Sequence, residues 1–356
     1  MTTHTAPRFP ESLPAARTPD AGAAPPLRWG VMGTGWIAER FVASLQTHSS
    51  QRVVAVGSRS TGTAERFAGR FGIERAHPSY DALVADPAID VVYVATPHNT
   101  HLDCALLALE AGRHTVVEKP LALNAEEART IAEAAAARRL FCMEAHWTTF
   151  LPKYDVLQQV LDSGALGDIM AVVADFGEWF PPGHRIFRPE LAGGPMHDLG
   201  TYLVSLVVTV LGHSPDQIVA RGSRLDCGVA GQTAMVLSYG DRQAVLHTSI
   251  LGNTPTSASL VGTTAGITID GPFYQPGGFT LTTVDRDRSL RYEEPRSAHL
   301  GGLHYQAAEV ARRIAGGETE SPLRPLATSI ATIAIMDEVR RLTGDLVAQE
   351  RSTAAS

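Results

Sequence analysis

Gly30-Val31-Met32-Gly33-Thr34-Gly35-Trp36-Ile37-Ala38 follows an apolar run and opens a segment with helical spacing. Glycines at such a join permit a tight turn and let the backbone approach a pyrophosphate. The helix that begins there offers free N–H groups and the positive end of its dipole to the anion. Ala38 takes the third glycine's place, which the dinucleotide fingerprint allows. The motif alone is weak, but its context is complete: strand, turn, a helix from Trp36 to about His48, and a second strand ending at Gly57. We read Gly33, Thr34, Gly35, Trp36 and Ile37 as a dinucleotide turn, in preference to a purely structural glycine turn.

The end of the second strand selects between dinucleotides. An NAD site places a carboxylate there to accept from the ribose hydroxyls. This chain reads Ser58-Arg59-Ser60-Thr61. Arg59 suits a 2′-phosphate and the hydroxyls of Ser60 and Thr61 add donors, so NADP is expected over NAD. The alternative is that Arg59 is a surface arginine at a strand end.

Strand and helix signals alternate outward from this turn. Apolar strands are expected over 28–32, 53–57, 90–95, 115–118 and 140–144, with helices over 36–48 and 125–138 and a helical pattern at Leu102, Ala105, Leu106 and Leu109. Such alternation implies a parallel sheet covered on both faces, with ligands at the carboxyl ends of its strands. After Phe150 the pattern changes: helices over 152–163 and 196–212, strands over 169–178, 217–224, 233–238, 243–250, 256–261 and 266–269, then helices over 303–315 and 326–342. Consecutive strands with short turns imply antiparallel pairing. The expected architecture is α/β: a tail over 1–26, a Rossmann domain over 27–150, and an α+β domain over 151–356 around an open, mainly antiparallel sheet. That sheet suggests a homodimer or higher homo-oligomer.

Composition narrows the function classes. The 356 residues carry a net charge of −7, which argues against a general nucleic-acid footprint. No apolar run is long enough to span a bilayer. The first 26 residues, rich in Ala, Pro and Thr, lack the apolar core of a signal peptide and are expected to be disordered. Cys104, Cys142 and Cys227 are scattered and odd in number, which points to a reducing cytoplasm without a disulfide framework.

Two constellations carry chemistry. The strands ending Ala95-Thr96-Pro97-His98 and Val117-Glu118-Lys119-Pro120 should meet at the carboxyl edge of the sheet. Thr96, Pro97, His98, His101, Glu118 and Lys119 are therefore candidate cofactor contacts. A lysine there can hold a substrate hydroxyl or favour the anion of a neighbouring acid. The second is Gly193-Gly194-Pro195-Met196-His197-Asp198-Leu199-Gly200-Thr201-Tyr202. Asp198 and Tyr202, four apart on a helix, share one face, and a polar pair on an otherwise apolar helix needs partners. From spacing alone, a capping Asp and a core Tyr are as good a reading. His98, His101 and Cys104 have suggestive metal spacing, but no further ligand accompanies them, and no metal is expected.

Glu118-Lys119-Pro120, the Gly-rich start and the Gly-Gly-x-x-x-Asp-x-Gly-x-Tyr pattern together resemble the Gfo/Idh/MocA oxidoreductase family. The resemblance runs from about Leu27 to Gly344. Within the family the chain is most similar to the dimeric dihydrodiol dehydrogenases, through Met143-Glu144-Ala145-His146-Trp147, Asp175-Phe176-Gly177 and Asp198-Leu199-Gly200-Thr201-Tyr202. The resemblance implies an N-terminal Rossmann domain, a C-terminal open sheet, and hydride transfer between NADP and a hydroxyl or carbonyl carbon of a sugar, polyol or cyclic vicinal diol. It implies that Lys119 is catalytic and that Tyr202 is the acid/base. Lys119 would supply positive charge, and Asp198 would orient substrate hydroxyls or the lysine. Trp147, Phe176 and Tyr274 match aromatic pocket positions, and His184 is a further substrate candidate. Two departures stand out: Thr149 occupies a position where the family often has Arg, and His146, His184 and Arg185 make the pocket more polar. A catalytically silent NADP-binding regulator and an NAD-assisted glycoside hydrolase are the alternatives on the same fold.

Overall fold

The structure is a computed structural model that describes residues 9–294 and 300–345. It contains two compact units. The parallel-sheet unit holds Pro19–Phe150 and His299–Ile333; the open-sheet unit holds Met1–Thr18, Leu151–Ala298 and Ala334–Ser356.

In the parallel-sheet unit, β1 (Arg28–Met32) leads through the glycine turn into α1 (Trp36–His48) and β2 (Arg52–Gly57). There follow α2 (Thr61–Phe71), β3 (Arg75–His77), α3 (Tyr80–Val84), β4 (Val91–Val94), α4 (His101–Glu110), β5 (His114–Glu118), α5 (Ala125–Arg138) and β6 (Cys142–Ala145). The strands lie in the order β3-β2-β1-β4-β5-β6, all parallel. A sheet covered on both faces needs strands apolar on both sides, and all four residues of β4 are buried. Against the sheet, Phe41 of α1 stacks on Tyr93 at 3.8 Å between ring centroids. Asn124 caps α5, its side chain accepting from the Glu127 N–H. The strand β3 escaped the sequence reading because it is three half-buried residues, Arg75-Ala76-His77, without an apolar pattern.

The open-sheet unit begins with α6 (Pro152–Asp162) and β7 (Ile169–Gly177). A π-helical turn over Met196–Gly200 runs into α7 (Thr201–Leu211), so the expected single helix from Met196 changes pitch at its start. Strands β8 (Gln217–Arg224), β9 (Ala230–Tyr239), β10 (Arg242–Ser249), β11 (Ala258–Gly262), β12 (Ala265–Ile269), β13 (Gly278–Thr283) and β14 (Ser289–Glu293) complete the sheet. Its order is β14-β13-β12-β11-β7-β10-β9-β8. It is antiparallel except where β7 lies parallel to β10. Reading neighbours in sequence as neighbours in space misses that pair, because the chain passes through α7, β8 and β9 between them. The strands β13 and β14 at one end of the sheet were also missed; β14, at the edge, alternates exposed and half-buried residues and presents little apolar signal.

The apolar helix α7 packs on β7 and β10 and covers one face of the sheet. On the other face the register sets Val173 beside Val245, Val245 beside Val236, and Val236 beside Val219. Val173, Val245 and Val219 are exposed, so a row of valine crosses four adjacent strands.

Two expected boundaries are corrected. The segment with α8 (Leu303–Ala315) and the start of α9 (Leu326–Thr343) belongs with the parallel sheet, not with the second domain. The reason is long-range contact: the Ser44 hydroxyl lies 3.1 Å from His304 Nδ1, and the Cys142 N–H donates to Thr319 O at 3.0 Å. The expected disordered tail is ordered from residue 9 onward. Arg17 makes a forked ion pair with Asp155, and Ala21 and Ala24 bury against Ala308 and Ala311, where small residues let a 3₁₀ turn and a helix approach closely. Residues 1–8 and 346–356 of that expected division lie outside the described residues.

Candidate active site

The glycine turn is shaped by its neighbours. Gly33 has φ of 106°, and a Cβ there would fall 2.6 Å from the Ala95 carbonyl oxygen. Only glycine lets the β1–α1 turn pass so close to the end of β4. Gly35 is the N-cap of α1, has no side-chain cap, and faces open space. No side chain caps the start of this 13-residue helix, the place where a helix N-terminus receives an anion. Thr34 lies in this turn, Ile37 is in the first turn of α1, and exposed Trp36 carries the Arg40 guanidinium over its ring at 5.5 Å.

A second uncapped helix stands beside the end of β2. Ser58 is buried, its N–H donating to His77 O at 3.2 Å, while Arg59 and Ser60 are exposed. Ser60 is the N-cap of α2 and makes no side-chain cap bond. An exposed guanidinium, two hydroxyls and free helix N–H groups form a donor set without an acceptor carboxylate, which fits a phosphate on the ribose better than a bare 2′-hydroxyl.

At the ends of β4 and β5, Lys119 is half-buried, and the Lys119–Pro120 bond is cis. The Lys119 N–H donates to the Glu118 carboxylate at 3.1 Å, and Tyr93 Oη donates to the same group. Burial pushes the Glu118 carboxyl up to about 7 against the opposing pull of Tyr93 and Lys119. Thr96 and His98 are buried and Pro97 precedes a short 3₁₀ turn. His101 is fully buried: Nδ1 lies 2.8 Å from Pro120 O and Nε2 lies 3.1 Å from Thr96 O. A neutral imidazole donates from one of these two nitrogens, so His101 ties the turn after β4 or the turn after β5 through a backbone carbonyl. Among the described residues no group of three or more His, Cys, Asp or Glu side chains is placed to hold a metal ion.

The other side of the Lys119 turn is held by a buried ion pair. Glu144 accepts from the Leu121 N–H at 3.0 Å, from Arg324 Nε at 3.0 Å and from Ser329 Oγ at 2.6 Å. Burial alone would raise the Glu144 carboxyl, but Arg324, His146 and the hydrogen bonds outweigh it and hold the group at about 2. Neighbouring His146 is pushed down to about 3, mainly by burial.

In the open-sheet unit, Asp198 and Tyr202 are both buried on the helical run. Arg185 takes both Asp198 oxygens, at 2.6 and 3.2 Å. Asp198 was expected to orient substrate or Lys119; its fork with Arg185 is the partner that a buried carboxylate needs. Phe176 stacks on Tyr274 at 4.7 Å, and Tyr202 lies 4.7 Å from Tyr274 and 5.9 Å from Phe176. Burial pushes the Tyr274 phenol up to about 12. His184 stacks on Phe180, accepts the Ile186 N–H, and is lowered by burial and by Arg185.

The candidates therefore divide between the units. Lys119, the nucleotide-end residues and buried Trp147 belong to the parallel-sheet unit; Asp198, Tyr202, Phe176, His184 and Tyr274 belong to the open-sheet unit. Sequence reasoning missed Arg185 as the partner of Asp198, the Glu144–Arg324 pair, and Lys153. The last had a signal: Lys153 lies on the stripe of Val156, Leu157 and Val160, a cation on the apolar face of α6.

A dinucleotide turn, a lysine at the carboxyl edge of a parallel sheet and a buried tyrosine in an aromatic wall define a dinucleotide-binding oxidoreductase. Residues 27–146 match the Gfo/Idh/MocA oxidoreductase family with its NAD-binding Rossmann fold, and residues 154–268 match that family's C-terminal domain. The trans-1,2-dihydrobenzene-1,2-diol dehydrogenase of Xenopus tropicalis is 33% identical over 323 residues, 89% of this chain and 98% of its own. The Homo sapiens protein of that name is 33% identical over 332 residues, 91% and 99%. The chain belongs to the Gfo/Idh/MocA family of oxidoreductases. Among solved structures, a 3-ketoreductase from Actinomadura kijaniata in complex with NADP and TDP-benzene is 25% identical with a TM-score of 0.79, covering 90% of this chain and 98% of that one. A levoglucosan dehydrogenase in complex with NADH and levoglucosan shares the fold at 18% identity, with a TM-score of 0.80 over 90% and 98% of the two chains.

Proposed function

We propose that this protein is an NADP-dependent dehydrogenase or reductase acting on a CH–OH or carbonyl carbon of a sugar, polyol or cyclic vicinal diol. The observation that carries this reading is the buried Tyr202 phenol, packed on Tyr274 in an aromatic wall, on the same helical run as the Asp198–Arg185 ion pair. Bound nicotinamide supplies or accepts the hydride. The chain's own residues do the rest. The open N-termini of α1 and α2 and the Arg59 guanidinium bind the phosphates. Tyr202 gives a proton from its Oη to the carbonyl oxygen in reduction and takes it back in oxidation. A free phenol has a pKa of about 10, so Tyr202 needs a positive charge to act near neutral pH, and Lys119 is the cation that the family resemblance assigns to that role. Phe176 and Tyr274 bound the substrate in the open-sheet unit, and His184 meets its hydroxyls. The polar groups favour a polyhydroxy substrate, and the names of the relatives bring cyclic diols into the same panel.

The test is a panel of aldoses, inositols, anhydro- and keto-sugars, trans-dihydrodiols and dicarbonyls, each with NADP and NAD, followed by absorbance of the reduced nicotinamide. Turnover with NADP supports the reading. Sugar release without net change in cofactor would favour glycoside hydrolysis, and binding without turnover of any compound would favour a regulator.

The proposal extends to assembly and compartment. The Val173-Val245-Val236-Val219 row is an unpaired apolar stripe on an open sheet, and a second copy of the chain is the occupant we assign to it. Buried free Cys104 and Cys142 and exposed free Cys227 suit a reducing cytoplasm. No helix among the described residues is long and apolar enough to cross a membrane.

A further inference from the structure

Lys153 has no place in the chemistry above, yet it is 1% exposed in the first turn of α6. A lysine is almost never fully buried without partners, because removing an ammonium from water is costly. Here the partners are two backbone carbonyls: Nζ donates to Phe273 O at 2.9 Å and to Gln275 O. Tyr154, the next residue, adds Oη to the Phe273 carbonyl at 3.2 Å. The two carbonyls that Lys153 grips flank one residue, Tyr274, whose ring packs on Phe176 and Tyr202. The acids facing Lys153 are Glu294 and Asp270, and both favour its charged form, while burial works the other way and brings it down to about 8. The Tyr274 hydroxyl meets the Gln275 side chain at 3.0 Å, so the same gripped segment also sets the polar rim of the ring.

We propose that Lys153 is a positioning residue for the substrate wall: by holding the carbonyls on both sides of Tyr274 it fixes that ring against Phe176 and Tyr202. The consequence for catalysis rests on the reading of Tyr202 as the proton carrier. A short loop carrying a large ring has several conformations open to it. Two charge-assisted bonds to its backbone leave one, in which the Tyr202 ring has a fixed neighbour and its hydroxyl a fixed direction.

The experiment uses the full chain with NADP and trans-1,2-dihydrobenzene-1,2-diol. Lys153→Met keeps most of the unbranched side chain and removes the donors. It should raise KM for the diol about tenfold and lower kcat, as expected for the loss of hydrogen bonds from a charged donor. The Kd for NADP, measured by fluorescence, should stay near that of the wild type. The near-UV circular dichroism should change in the same direction as in Tyr274→Leu, because both release the ring stack. Lys153→Met on top of Tyr274→Leu should add nothing to KM or kcat, since both act through one ring. Tyr154→Phe, a milder change, should give a smaller effect of the same kind and carries the test if Lys153→Met does not fold. A lower melting temperature with unchanged KM, kcat and near-UV signal, or effects of Lys153→Met and Tyr274→Leu that multiply, would overturn the proposal. Tyr202→Phe, run in parallel, separates the two readings: if it turns over normally the acid/base role fails, while the coupling of Lys153 to Tyr274 is still read from KM and from the dichroism. If the diol is not turned over, the dichroism alone decides, and a Lys153→Met spectrum equal to wild type overturns the proposal.

Discussion

Arg59 stands where an NAD enzyme carries a carboxylate, and nothing but its chemistry distinguishes it from any exposed arginine. A charge-assisted hydrogen bond is worth about 1.5–3 kcal/mol. Arg59→Ala should therefore raise the Kd for NADP by roughly ten- to a hundredfold and barely alter that for NAD, measured by fluorescence titration. An equal loss for both nucleotides would mean that the arginine is a bystander. Tyr202→Phe keeps the ring in its stack with Tyr274 and removes only the proton. Turnover should fall by about 10²–10⁴, the usual worth of a positioned acid or base. Lys119→Met should be comparably severe and should move the pH profile, while both variants still bind NADP. Near-normal turnover by Tyr202→Phe at its optimum would leave Lys119 as the proton carrier. These residue types and their spacings were legible in the sequence. The Arg185 fork on Asp198 was not, because the partners stand 13 positions apart in the sequence and only folding brings them together.

At the scale of elements, the turn after β5 is braced from two sides. His101 from α4 sits against its Pro120 carbonyl and Glu144 from β6 holds its Leu121 N–H. Glu144 is itself fixed by Arg324, at 0% and 1% side-chain exposure. Its carboxyl sits at about 2 in the folded chain against an ordinary 4.5. A carboxyl held below its unfolded value binds fewer protons in the folded state, so its contribution to stability is present above 4.5 and is lost as the pH falls toward 2. The urea midpoint should accordingly decline through that window. The double variant Glu144→Leu with Arg324→Met should lose most of the decline, and an undiminished decline would assign the acid lability to other groups. Arg324→Met alone should cost about 3–5 kcal/mol, because it leaves a buried charge unpaired. Element existence was largely legible here, since α1, α5 and β1 have the limits that the patterns predict. The π-helical start before α7 and the parallel pairing of β7 with β10 were not, because a change of pitch or a strand crossover leaves no period in the sequence.

For the molecule as a whole, the valine row on the open sheet predicts a dimer. An interface of ordinary size buries about 1,200–2,000 Å², and a charge set into its middle is not tolerated. Val245→Glu should convert the protein to monomers in sedimentation equilibrium while leaving the melting temperature close to wild type. A wild type that sediments as a monomer at micromolar concentration would refute the assignment of a second copy to this face. Period and punctuation alone determined the alternating helices and strands of the first half and the glycine turn with its missing acid. Local rules suffice for these, because helical and strand periods, caps and turn residues act over a few positions. The tertiary structure alone decided that residues 300–333 return to the parallel sheet, that the segment before β1 is seated by Ala21 and Ala24, and that Glu144 finds Arg324. It also decided that Lys153 grips the carbonyls around Tyr274. Each of those contacts joins residues from about 120 to nearly 290 positions apart, and their energy comes from burial and pairing that exist only once the core has closed.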